Sequence, residues 1–212
     1  MLTNEYEEVA KILYANHLLL DNNPFVVKNY NGKQNYDLTW SGKSSINSIL
    51  FDENKSCFEL LSAIRPARQY SFLMYDKSII QVEYQIKEEE IIKARLLFIK
   101  LQNKVWSVEE LQEYIDIPDI LDEVLNEEVG FPIMIRIDFD PQNHVECEHP
   151  KAHFVFNNVK DCRIPMKSII SLSKFIDFLL KHFYNIQLDS FGNIEFSKTI
   201  TDSEAKMVHI NW

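Results

Sequence analysis

Glycine is scarce in this chain, with four in 212 residues. That leaves little material for a phosphate-cradling loop, and neither GxxxxGK[ST] nor GxGxxG occurs, so P-loop and dinucleotide fingerprints are excluded. Cysteine is scarce too. Three residues without framework spacing fit a reducing cytosol better than a disulfide scaffold, which points to a cytoplasmic location. No run approaches the roughly 18 consecutive apolar residues that a membrane span needs, so no membrane association is expected. The opening "MLTNEYEEVAKIL" has acidic residues where a secretion signal has basic ones. Basic charge is in deficit: 22 Lys and Arg against 32 Asp and Glu give a formal charge of −10. This argues against a general nucleic-acid coat, because phosphate binding is driven by Lys and Arg. It leaves room for a local basic groove or an RNA-cleaving enzyme.

What is present is apolar patterning sufficient for a full-sized core. Composition is 46% apolar, and no repeat or flexible linker divides the chain, so residues 1–212 read as one domain. A first helix is expected over 4–20, capped by Asn4 with Glu7, with Tyr6, Val9, Ala10 and Leu13 as its apolar stripe. "DNNP" (21–24) ends it. "YDLTW" (36–40) and "SINSILF" (45–51) read as a short hairpin. "QYSFLMY" (69–75), a "DK" turn and "SIIQVEYQI" (78–86) make a second. In its latter arm Ile80, Val82, Tyr84 and Ile86 alternate with Gln81, Glu83 and Gln85, which predicts one buried and one wet face. "IIKARLLFIKL" (91–101) adds a third strand. Ser107 with Glu110 starts helical patterning that runs to about Gly130. "PIMIRIDF" (132–139) and "AHFVF" (152–156) return to strand. Leu172, Phe175, Ile176, Leu179, Leu180 and Phe183 then share one helix face. The fold class is α+β: an antiparallel meander with helices packed on it.

Candidate chemistry gathers in "HVECEHPKAH" (144–153) and its flanks. Structural zinc needs four ligands at regular spacing. Cys147, His149, His153 and Cys162 do not supply it, because the Cys-x-His arm is irregular and Pro150 breaks any helix. No stoichiometric zinc and no other cofactor is therefore expected there. Asp138 and Asp140 alternate with Ile137 and Phe139, so both carboxylates share one strand face. Such a pair can hold a cation, with Mg²⁺ the candidate, or shift one pKa. His149 and His153 are candidate general acid and base, and Arg163 a candidate clamp for phosphate or carboxylate. The five residues contain the parts of a phosphodiester-cleaving site. The competing reading has Arg163 pairing with an Asp to tie strand ends. Cys57, His17 and His182 read as structural, and Trp40, Trp106 and Trp212 are too dispersed for a base-stacking platform.

"RIDFDP" (136–141), "EHPKAHFVF" (148–156), "CRIP" (162–165) and "FIDFLLKHFY" (175–184), in that order, resemble a family of uncharacterised bacterial proteins known only as a domain of unknown function. "RQYSFLMYDKSIIQVEYQI" (68–86) resembles its other shared segment, and the likeness covers about residues 65–185. The resemblance implies a setting among mobile-element and phage-defence genes. The family's histidine two residues after His153 is replaced by Val155, which argues further against a metal-binding H-x-H pair. Two expectations follow. One is an accessory or effector subunit that binds a protein from the same operon, or a ligand, through the 138–163 cluster. The other is a toxin-like nuclease, metal-independent or Mg²⁺-dependent, with RNA as substrate. An oligomer is compatible with either.

Overall fold

A computed structural model describes residues 2–29, 35–43, 57–102, 131–157, 159, 161–188, 191–192 and 194–212. Helix α1 spans Leu2–Ala15 and buries Tyr6, Val9 and Leu13, the stripe expected from spacing. It is shorter than the expected 4–20, and Asn4 lies inside it rather than capping it. The stop is a backbone device. Leu18 N–H donates to the Leu13 carbonyl at 2.9 Å, and His17 N–H to that of Tyr14 at 3.1 Å. This is the double closure of a helix whose next residue turns left-handed, and His17 has φ 57°. The Leu-rich continuation therefore becomes strand β1 (Leu19–Asn22) instead of a further turn of helix.

Strands β2 (Phe25–Asn29), β3 (Asn35–Trp40), β4 (Phe72–Met74), β5 (Ile79–Lys87), β6 (Glu90–Gln102), β7 (Phe131–Phe139), β8 (Ala152–Phe156) and β9 (Ile164–Pro165) complete a nine-stranded antiparallel sheet. Consecutive strands from β4 to β9 are neighbours, which is the expected meander, and β1 extends it beyond β4. Of the first expected hairpin, the arm over 36–40 is described. β3 pairs with β2 before it and with the far half of β5, opposite residues 84–87, while β4 takes Ile79 and Ile80. The strand expected over 45–51, the helices expected over 107–130 and the side chain of Cys57 lie outside the described residues.

Two helices cover one face of the sheet. α1 and α3 (Leu172–Phe183) pack on Ile80, Val82, Tyr84, Leu96, Phe98, Ile135 and Ile137. Ser171 caps α3 by accepting from Lys174 N–H at 3.2 Å. Helix α2 (Cys57–Ile64) sets Leu60, Leu61 and Ile64 on the opposite face, against Ile79, Leu97, Ile99 and Met134. This second layer corrects the one-wet-face expectation for β5. Gln81 is buried and donates to the Gln69 carbonyl at 2.6 Å. It also explains the apolar run Leu96–Ile99 within β6, since a strand stretch buried on both faces has no polar alternation. Further along that same face, beyond α2, the residues become charged.

Candidate functional site

Register places the charged residues. Glu83, Arg95, Asp138, His153 and Pro165 lie side by side across β5 to β9. Successive side chains on a strand alternate faces, so Arg136 joins Asp138 on the face that carries Arg95 and His153. Asp138 is the centre of the group. Arg95 Nε lies 2.8 Å from its Oδ1, Arg136 Nε 2.6 Å from its Oδ2, and His153 Nε2 3.8 Å from the same Oδ2. Burial works against the charge of Asp138, but Arg95 and Arg136 outweigh it and hold the carboxyl below its ordinary pKa. Arg136 is itself pulled down by burial and by the like charges of Arg95 and Arg163, against the pull of Asp138.

His153, near the start of β8, is 2% exposed, so a candidate acid or base at this position is closed off from solvent. Its Nδ1–H donates to the Pro150 carbonyl at 2.8 Å, because a carbonyl can only accept. That bond fixes the tautomer and leaves Nε2 without a proton in the neutral ring. Burial is the largest influence on its pKa and lowers it, with His149 and Arg136 adding to the shift against Pro150 and Asp138.

The β7–β8 connection folds back on itself and delivers His149. A 3₁₀ turn (Pro141–Asn143) follows Asp140, and Val145 and His149 form a bridge closed by His149 N–H to the Val145 carbonyl at 2.7 Å. The His149 ring meets that of His153 edge-on, with centroids 4.8 Å apart. Its Nδ1 is buried and has no hydrogen-bond partner among the described residues. Asp140 accepts from Lys93 Nζ and Asn143 Nδ2, each at 3.0 Å. Burial raises its pKa, and those two bonds bring it below the ordinary value.

Asp138, Asp140, His149 and His153 are thus brought together. Arg163 is set apart: its Nη1 bonds Asp161 at 3.0 Å, two residues away, and among the described residues its influence on the group is the repulsion it exerts on Arg136. The strand-end ties that sequence assigned to Arg163 are made by Arg95, Arg136 and Lys93. Arg136 was legible as the residue two before Asp138. Arg95 interrupts an apolar run, a signal that marks a polar position but names no partner. Cys147 is exposed and Cys162 half-buried, and both are free thiols.

Residues 18–212 match the model of a family described as an uncharacterized conserved protein, DUF2290. The chain belongs to this family. The match extends well outside the 65–185 region in which the shared motifs lie, and it takes in the whole sheet, including β1 to β3. No curated protein matches the chain, and no solved structure does. No helix among the described residues is long and apolar enough to cross a membrane.

Proposed function

We propose that this chain is an accessory or effector subunit of a bacterial defence-type system, cytoplasmic, which binds a partner protein or ligand through the 138–163 cluster with His149 as the contacting side chain. The observation that carries this reading is Nδ1 of His149, buried without a hydrogen-bond partner among the described residues, on a ring that is itself only half-buried, so that a turn of the ring presents it to a ligand. A buried polar atom left without a hydrogen bond costs roughly 1–3 kcal/mol, and a group supplied from outside removes that cost. In this reading Asp138 and His153 are positioning residues, because their own burial keeps them from a ligand, while half-exposed His149, Asp140 and Arg163 meet it.

A second reading, RNA cleavage, is favoured by the histidine pair itself. Two imidazoles in contact, one of them kept neutral with Nε2 free, are the parts of a general acid–base couple. The test begins in cells that express the chain with its neighbouring genes under phage challenge. His149→Ala and Arg163→Ala should abolish protection or toxicity, with the melting temperature of each purified variant unchanged. Full activity in both variants would overturn the site. Incubation of the pure protein with labelled RNA and DNA, with and without Mg²⁺, then separates the readings, since cleavage lost on His149→Ala selects the nuclease.

A further inference from the structure

His144, Glu146 and Glu204 come together from opposite ends of the last third of the chain. His144 Nε2 lies 3.0 Å from Glu204 Oε1 and 3.8 Å from Glu146 Oε2, and one donor atom from each residue lies within 4.8 Å of the others. Zinc–nitrogen and zinc–oxygen bonds of about 2.0–2.2 Å at tetrahedral angles put neighbouring donors roughly 3.3–3.6 Å apart. Two of the three separations straddle that value and the third is within 4.8 Å, so rotation of the exposed Glu146 side chain is what closes the set around one ion.

Glu204 supplies a second, independent observation. Its carboxylate has zero exposure, yet among the described residues no Lys or Arg lies within 4 Å of it. Its polar partners among the described residues are the Thr201 amide at 3.0 Å, the Thr201 side chain and the His144 ring. Among the described residues, the buried acid Asp138 meets Arg95 and Arg136 and the buried acid Asp76 meets Lys100, while buried Glu5 accepts from the Ser173 amide. The two carboxylates of the group outnumber its single imidazole, so a divalent cation would supply counter-charge to the buried one.

We propose that His144, Glu146 and Glu204 bind a divalent transition-metal ion of the zinc type. The mixed nitrogen and oxygen donors suit such an ion better than Mg²⁺, which prefers an all-oxygen octahedron and gives up water reluctantly. The three protein ligands leave a fourth position for water or for an incoming group. The ion pins the C-terminal segment around Thr201 to the 144–149 turn that presents His149, and it is distinct from the Cys147–His153 set whose spacing argued against zinc. The proposal stands independently of the partner-binding reading, because it is tested on the pure protein alone.

Chelator-treated full-length protein titrated with ZnCl₂ in a calorimeter should take up one ion per chain, and the melting temperature should rise with Zn²⁺ and not with equimolar Mg²⁺. His144→Ala and Glu146→Gln should each weaken binding by more than about 100-fold, beyond the roughly 10–100-fold cost of losing an outer-shell partner. His149→Ala should leave it unchanged. Glu146 is exposed, so Glu146→Gln keeps the test valid if His144→Ala lowers the stability of the apo fold. Absence of saturable binding, binding indifferent to both substitutions, or binding lost on His149→Ala would each overturn the proposal.

Discussion

Arg95 and Asp138 face each other directly across the β6–β7 ladder, with Nε and Oδ1 2.8 Å apart. Arg136 reaches the other oxygen of the same carboxylate, so one buried acid holds two guanidiniums on the sheet face. Removing the acid leaves both without it. Asp138→Ala should therefore destabilise the fold by about 3–5 kcal/mol, the usual cost of breaking a buried pair from one side. Urea denaturation of the variant checks this, and a change below about 1 kcal/mol would show that the arginines are held by other groups.

The same carboxylate sets an acid limit. The pKa of Asp138 is depressed in the folded state, so its contribution is fully present above the unfolded value of about 3.9 and is lost as pH falls through the folded value. Stability measured from pH 5 downward should fall in wild type with a steeper slope than in Asp138→Asn. Equal slopes would remove Asp138 as the cause.

His153 acts in a higher window. Its folded pKa lies below 6.5, so above about pH 6.5 both states are neutral there and the stability is complete. Below that pH the unfolded chain takes up the proton first and stability drops. Melting temperatures between pH 7.5 and 5 should decline in wild type, and this decline should be shallower in His153→Gln. A His153→Gln profile parallel to wild type would count against burial as the source of the shift.

At the other end of the sheet Asp76, Lys100, Ser78 and Tyr184 form a buried polar knot. Asp76 pairs with Lys100, accepts from Ser78 Oγ at 2.6 Å and from Tyr184 OH at 3.2 Å, and Lys100 Nζ sits 4.4 Å from the Tyr184 ring centre. The knot ties the end of α3 to the β4–β5 turn. Asp76→Ala should cost about 3–5 kcal/mol, while Asp76→Ala combined with Lys100→Met should recover part of that loss. A double variant no more stable than Asp76→Ala alone would show that the buried ammonium left without Asp76 is not the source of the cost.

Phe175 has no exposed surface and lies in the main core. Phe175→Ala should cost about 3–5 kcal/mol by loss of apolar contact and the cavity left behind. An unchanged chemical-denaturation midpoint would remove α3 from the core.

The sequence by itself determined the elements whose signal is local. The face of α3 repeats at helical spacing and was legible from Leu172 to Phe183, and the alternation in β5 identified the residues that meet α1 and α3. The same alternation placed Asp138 and Asp140 together, because residues two apart on a strand share a face whatever lies beside them. Tertiary structure decided what those faces touch. Gln81 became buried because α2 covers the second face, and a hydrophobic period cannot announce a layer contributed by a distant helix. The helix expected to reach Leu20 stopped at Ala15 because a left-handed His17 and pairing with β4 favoured strand for the same leucines. Arg95 became the partner of Asp138 through strand register, and Glu204 reached His144 across 60 residues of chain. Spacing fixes which side chains share an element. Which element lies next to which is set by packing the whole chain at once, and that is where the charges of this protein found their partners.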